Sequence, residues 1–374
     1  MKAFRAGSRV SRGGYSSFEP TPLVREWRLD DMGLINLLGQ ADRELGRLDM
    51  FSEHIPDVDL FIRMHVIKEA TQSTRIEGTQ TNMDEALRPR SDVAIERRDD
   101  WEEVHNYVAA MNQAITRLAD LPLSSRLVRD AHATLMKGVR GRDKLPGEFR
   151  KGQNWIGGAT LADAVFIPPA HTSVPDLMGD LERFIHDDAH PFPEVLKAAI
   201  VHYQFETIHP FLDGNGRVGR LLITLYLVAK GVLKRPVLYL SDFFERNRVL
   251  YYDNLMRART HDDLAQWVRF FLVGVIETAQ ASIETLDAIL KLQRRVEAQV
   301  EKLGSRAANA HRVLSALYRN PVVDAAKVAK IAGVSAAPAY KLVADLERLG
   351  ILKEITGGRR GRTYVFEAYV KLFR

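Results

Sequence analysis

The chain has 374 residues, 46% of them hydrophobic, with 53 basic and 48 acidic side chains and a net charge of +5. That length and apolar content allow more than one domain around a sizeable core, and so small a positive excess does not by itself point to nucleic acid. With no cysteine, disulfides and thiolate metal sites are excluded. No apolar run reaches the ~18 residues of a membrane span, and the first residues lack a secretory apolar region, so no membrane is expected and the cytoplasm is the expected location.

In chain order, residues 1–20 are rich in Ser, Gly and Arg and are expected to be mobile or draped over the surface. Helical spacing of apolar residues follows at 31–50, 59–77, 98–118 and 125–137, then at 174–187, 193–208 and 216–231, and again near 241–258 and 263–303. The second helix runs into Ser73-Thr74-Arg75-Ile76-Glu77-Gly78. The glycine reads as a helix stop. A glutamate just before it faces the negative end of the helix dipole, which is mildly unfavourable and suggests another use. Residues 147–169 hold two short β-like runs, Gln153-Asn154-Trp155-Ile156 and Val165-Phe166-Ile167, around a glycine-containing turn, which predicts a hairpin.

The most informative segment is His209-Pro210-Phe211-Leu212-Asp213-Gly214-Asn215-Gly216-Arg217-Val218-Gly219-Arg220, followed at once by the apolar run from Leu221. Gly214, Asn215 and Gly216 therefore lie where a loop becomes a helix. Free N–H groups and the helix dipole make such a junction an anion site. Glycine is needed there where phosphate approaches the backbone. Asp213 is a hard oxygen ligand suited to Mg²⁺ shared with phosphates. Arg217 and Arg220, three apart, can both reach an anion, and guanidinium groups grip phosphate in a fixed fork. His209 ends the preceding helix and titrates near neutrality, as a general base should. The plainer alternative is a helix–turn–helix corner with a capping histidine and solvated arginines.

The segment 209–220 resembles the Fic-domain signature, His-Pro-Phe-x-(Asp/Glu)-Gly-Asn-Gly-Arg-x-x-Arg, at every specified position. The resemblance implies a mainly α fold: a Fic helical core with a small β-hairpin flap. It implies transfer of AMP from ATP to a Ser, Thr or Tyr hydroxyl of a target protein, with Mg²⁺ as cofactor. His209 would be the base and Asp213 the metal ligand, while Gly214, Asn215, Gly216, Arg217 and Arg220 would hold the phosphates. The kinase-like branch of the family carries a bulkier residue in place of Gly214; phosphocholine transfer on this fold is rare. Ser73 to Gly78 matches the (Ser/Thr)-x-x-x-Glu-(Gly/Asn) motif of self-inhibited Fic proteins, which implies that Glu77 pairs with Arg220 and misaligns the γ-phosphate. In some relatives this glutamate also supports removal of AMP from the target. The family flap covers the active site, which assigns Trp155, Ile156, Phe166 and Ile167 to docking an extended target segment by main-chain pairing. Tyr252 and Leu255, on a helix after the core, are the candidates for adenine contact.

The expected organisation is an N-terminal helical region at 1–110 with an inhibitory helix at about 61–78, a catalytic core at 111–274, a connecting helix at 275–304 and a terminal module at 305–374. The connecting helix carries Ile283, Leu286, Ile289, Val296, Val300 and Leu303 on one face, suited to packing on its own chain or to a homodimer contact. After Gly304 the pattern resembles a winged helix-turn-helix: helices at 309–318, 325–332 and from a Ser335 cap to about 349, with strands at Val322-Val323, Ile351-Leu352 and Thr363–Phe366. The tip is Gly357-Gly358-Arg359-Arg360-Gly361-Arg362. Its arginines could meet DNA phosphates, although Ser335, Ala336, Ala337 and Pro338 offer few base contacts, leaving Tyr340 and Lys341 as better candidates. Besides a self-inhibited AMP transferase, two other classes remain: a transcription regulator in which the Fic domain senses nucleotide, and a binding protein with a dead site. The complete His209, Asp213 and Arg220 set argues against the last.

Overall fold

The computed structural model describes residues 4–55, 58–138, 143–358 and 361–374. The fold is mainly helical. At its centre lies a helical hairpin of α7 (Glu194–Ile208) and α8 (Asn215–Ala229). Nearly every residue of both helices is buried. A helix surrounded on all sides has no solvent-facing stripe, so the polar side chains these two carry, among them His202, Glu206, Arg217 and Arg220, lie inside the protein.

Around this pair stand α2 (Val58–Ile76), α4 (Arg98–Arg117), with the short α3 (Met83–Leu87) between them in sequence, α5 (Ser125–Leu135) and α6 (Val174–Ile185). Helix α1 (Met32–Glu53) lies along α11 (Leu264–Val300). The apolar stripe of α11, including Leu286, Ile289, Val296 and Val300, is buried within the chain itself. An expected boundary at 274–275 falls inside this one continuous helix. No described helix is long and apolar enough to cross a membrane.

Three segments differ from expectation. Residues 7–20 are not draped but form a hairpin, β1 (Gly7–Ser11) with β2 (Ser16–Pro20), paired from Gly7↔Pro20 to Ser11↔Ser16. Phe18 explains the order: it is buried, its ring meets Phe166 at 5.7 Å, and its N–H donates to Ile167 O at 2.9 Å. The helix expected over 241–258 is two, α9 (Ser241–Arg246) and α10 (Arg248–His261). Asn247 breaks it; its backbone leaves the helical region and its side-chain amide donates to Phe243 O, the local competition typical of asparagine. The two runs around 156–166 make a single antiparallel bridge, Ile156↔Phe166, rather than a hairpin of full strands.

The C-terminal module contains α12 (Ala307–Arg319), β3 (Val322–Asp324), α13 (Ala325–Ala332), α14 (Ala336–Arg348), β4 (Lys353–Glu354), β5 (Thr363–Val365) and a closing turn α15 (Glu367–Val370). The antiparallel strand order is β3-β5-β4. The first strand of the terminal pair thus starts two residues later than Ile351, which with Leu352 is buried instead. Ser335 occupies the N-cap position of α14, yet its hydroxyl makes no cap hydrogen bond. The third helical residue is Pro338, which has no N–H to offer. Arg359 and Arg360 lie outside the described residues. The module packs on α2: Phe61 touches the rings of Tyr318 and Tyr369, and His65 meets Phe373 at 5.0 Å.

Candidate active site

The loop between α7 and α8 brings the signature residues together. His209 caps α7 in a left-handed conformation (φ 50, ψ 60), unusual for a residue with a side chain and found preferentially at functional sites. Buried hydrogen bonds hold it there. Arg150 donates through Nε to His209 O at 3.0 Å and through its backbone N–H to Pro210 O at 2.9 Å. The Asn154 amide donates to Phe211 O at 2.9 Å and His209 O at 3.3 Å. Asn215, rather than facing outward, bonds both backbone groups of Phe211, through Oδ1 and Nδ2. Its role is to close the loop.

Gly214 has φ 76, and a Cβ there would meet Met136 Sδ at 2.8 Å, so both conformation and space demand glycine. His132 lies beneath the loop. It stacks on Phe211 with centroids 3.7 Å apart, accepts from Gly147 N–H at Nδ1 and donates from Nε2 to Asp213 O at 3.0 Å. These partners fix a neutral tautomer, and burial pushes its pKa down to about 4. The Asp213 side chain is about half exposed (48%) and accepts from Gly214 N–H.

The two arginines have different partners. Arg217 Nη1 meets Glu103 at 3.2 Å and Nη2 meets Asp213 at 3.5 Å. Arg220, only 1% exposed, donates from Nε to Ser73 Oγ at 2.8 Å, and from Nη2 to Ser73 O at 2.9 Å and Glu77 Oε1 at 2.6 Å. Burial works against its charge, but the Glu77 carboxylate outweighs that and raises its pKa. The Glu77 carboxylate sits over Gly216, where an added Cβ would collide with it. A side-chain anion therefore occupies the first turn of α8, the place where phosphate was expected.

His209 is mostly buried, with Nδ1 turned into the protein and without a hydrogen-bond partner. Burial, followed by the charges of Arg259 and Arg150, lowers its pKa to about 3, so the ring is neutral and able to accept a proton. Tyr252 is 38% exposed, and burial and then the charge of Glu77 raise its pKa. Leu255, on the same helix, is buried. Tyr251, also buried, bonds His202 Nε2, whose Nδ1 donates to Gly219 O.

At the flap, Trp155 and Val165 are exposed, Ile156 and Ile167 are half-buried, and Phe166 is buried with Arg259 over its ring at 4.1 Å. Phe166 thus anchors the flap instead of offering a docking surface. Sequence reasoning missed Arg150, Asn154, His132, Glu206 and Arg259. Arg150 and Asn154 flanked the expected flap, but nothing in sequence tied them to the carbonyls of 208–211.

A mainly helical core with an anion-binding turn between two buried helices is the class defined by fold and site. The Fic/DOC family N-terminal description matches residues 35–116 and the Fic/DOC family description matches residues 122–227. Together they account for half of the sequence, and the chain belongs to this family. The protein adenylyltransferase Fic of Aedes aegypti is 34% identical over 145 residues, 38% of this chain and 25% of that protein; the one from Drosophila melanogaster is 33% identical over 148 residues. The chain spans about a quarter of the length of these curated relatives. A Fic family protein from Desulfovibrio desulfuricans G20 shares the fold with a TM-score of 0.58 at 20% identity, covering 91% of this chain and 98% of that one. Fic-1 (residues 134–508) from C. elegans gives a TM-score of 0.50 at 20% identity, over 70% of this chain and 74% of that one.

Proposed function

We propose that this chain transfers AMP from ATP to a hydroxyl of a protein and holds itself inactive through Glu77. The observation that carries the reading is the Arg220–Glu77 pair at 2.6 Å with the carboxylate seated over Gly216. The site has a place for an anion at a helix N-terminus, and the protein fills it with its own side chain.

In the active state a nucleotide displaces Glu77. The backbone of Gly214–Gly216 and the guanidinium of Arg220 bind the phosphates, with Arg217 alongside. The neutral His209 ring takes the proton of a Ser, Thr or Tyr hydroxyl as its oxygen attacks the α-phosphorus, and pyrophosphate departs with the bonding electron pair. Asp213 fits a magnesium site: it is a half-exposed hard oxygen at the edge of the cradle. Among the described residues no group of three His, Cys, Asp or Glu could hold a metal, so Asp213 would share the ion with the phosphates. When bound, magnesium supplies charge neutralisation on those phosphates. Tyr252 is placed to meet the nucleotide. Trp155, with the edge near Ile156 and Ile167, offers the surface for a target segment. The reaction belongs where ATP is abundant, the cytoplasm. The measurement that tests this is covalent transfer of label from ATP carrying a labelled α-phosphate. Glu77→Gly raises the signal and His209→Ala removes it; no label with Glu77→Gly, Mg²⁺ and cell lysate refutes the reading.

A second reading concerns residues 305–374. Tyr340 is 63% exposed on α14 and Lys341 beside it is exposed, which is the face a winged helix-turn-helix presents to DNA. Duplex binding that survives His209→Ala and disappears with Lys341→Glu is its test.

A further inference from the structure

Glu206 plays no part in the mechanism above, yet it lies in the innermost part of the site. It sits one turn before His209 on α7, is 6% exposed, and its Oε1 has no hydrogen-bond partner. Its Oε2 is 4.0 Å from His209 Nδ1, which is also buried and unpartnered. A buried carboxylate and a buried ring nitrogen this close together, with Oε1 and Nδ1 each lacking a partner, are costly in a dry interior unless the two groups serve each other at some stage. The carboxylate also determines its neighbour on α8. A Cβ at position 219 would overlap Glu206 Oε1 and come within 3.2 Å of the Phe205 ring, so only glycine fits. Glycine inside a helix is less favourable than alanine, and here the space it leaves is filled by a carboxylate.

We propose that Glu206 is a positioning residue for the transfer reaction: its carboxylate receives the Nδ1–H of His209 and balances the imidazolium formed when Nε2 takes the acceptor's proton. This rests on the AMP-transfer reading. The balance is complete without another reactant. The hydroxyl proton moves to Nε2, the new O–P bond forms as the bond to pyrophosphate breaks, and the imidazolium later loses its proton to water. During that interval a positive charge stands in a pocket that already holds Arg150 and Arg259, which disfavour it. Glu206 brings a carboxylate oxygen to 4.0 Å from Nδ1, and the charge of Asp213 also favours the imidazolium.

The groups facing Glu206 are His209 on its own helix, Arg220 on α8, Arg259, Tyr251 and Tyr252 on α10, and Glu77 at the end of α2. Burial, offset in part by Arg220, lifts its pKa to about 7. Near neutrality one proton is therefore shared by the Glu206–His209 pair and belongs to neither residue alone. The competent form is the pair without that proton. Activity falls as pH drops through about 7, and glutamine at 206 removes this step because it carries no titrating carboxyl.

The test uses the full chain. NMR of the His209 ring carbon and nitrogen signals, assigned with His209→Ala, is followed from pH 8 to 4.5 in the wild type, Glu206→Gln and Glu206→Asp. The wild type is expected to titrate near 7, Glu206→Gln to stay flat to below 5, and Glu206→Asp, which keeps the charge, to titrate between them. Label transfer is then measured in a Glu77→Gly background. There Glu206→Gln lowers kcat on the order of 10–10²-fold with KM for ATP changed less than about threefold, and its acid limb moves down by about two pH units or more. Superimposable His209 titrations in wild type and Glu206→Gln overturn the proposal. So does a Glu206→Gln variant that loses only thermal stability, with kcat and acid limb unchanged, because that is the signature of a group that merely neutralises Arg259. If Glu77→Gly transfers no label at all, the AMP-transfer reading fails, and the NMR titration still decides whether Glu206 governs the ring.

Discussion

Replacing Glu77 with glycine isolates the self-inhibitory contact. In the resting protein Glu77 Oε1 lies 2.6 Å from Arg220 Nη2, with the arginine 1% and the glutamate 36% exposed. A charge-assisted hydrogen bond of this kind contributes about 1.5–3 kcal/mol. Solvent on the glutamate side argues for the low end, about 1.5–2 kcal/mol. Any nucleotide phosphate that takes Arg220 must first break that bond, so its apparent affinity is reduced by the same amount. At 1.4 kcal/mol per decade, Glu77→Gly should tighten Mg-ATP binding by roughly 10–30-fold. Arg220 keeps its two bonds to Ser73, so the fold survives with a melting temperature lower by only a few degrees. Calorimetric titration of ATP into both proteins measures the ratio, and label transfer follows in the same samples. Equal ATP affinities would refute the idea that Glu77 competes for the phosphate site. Tighter binding without increased transfer would show that Glu77 blocks occupancy but not chemistry.

His209→Ala should lower label transfer on the order of 10²–10⁴-fold while ATP affinity stays within a few-fold, since the ring acts on the acceptor's proton; a parallel loss of ATP binding in calorimetry contradicts the assignment. Gly219→Ala gains about 1 kcal/mol in helix propensity but forces the Glu206 carboxylate and the Phe205 ring to move, and a net loss of about 1–3 kcal/mol in denaturant unfolding is expected. Phe61→Ala should cost about 3–5 kcal/mol, since Phe61 is fully buried between α2 and the rings of Tyr318 and Tyr369; an unchanged melting temperature would show that the terminal module does not brace α2. For pH, His65 and His132 are lowered by burial to about 4, His202 to about 3, and His105 is lowered as well. The unfolded chain then binds more protons below about 6.5, so acidification from 7 to 5 should lower the melting temperature. Glu206, raised by burial to about 7, and Glu69 and Asp42, raised likewise, act in the opposite direction but are outnumbered by His65, His105, His132 and His202. A flat or rising melting temperature over that range would contradict the neutral, buried state of these rings.

The sequence alone determined whatever depends on local spacing. The helices at 32–53, 58–76, 98–117, 194–208 and 215–229 lie within a few residues of their apolar periodicity, because burying one face of a helix imposes a repeat that the chain itself displays. The loop from His209 to Arg220 was legible for a related reason: a tight turn into a helix places its chemical groups within twelve consecutive residues. Even the Glu77–Arg220 pairing could be expected, although only through resemblance to a family and not from any feature of residue 77 itself.

Tertiary structure decided which groups meet across large sequence separations. Arg150 and Asn154 fix the carbonyls of His209 and Phe211, His132 holds Asp213, and Arg259 lies over Phe166. None of these pairs shares a local repeat, so no periodicity could reveal them. The serine-rich segment 7–20 is ordered because Phe18 finds Phe166 and Ile167, a partner supplied 150 residues later in the chain. Leu255 and Tyr252, candidates for adenine contact by position, lie on the same helix α10, the first buried and the second partly exposed. Which face of a helix looks inward is decided by its neighbours, and sequence spacing names the faces without saying what each will meet.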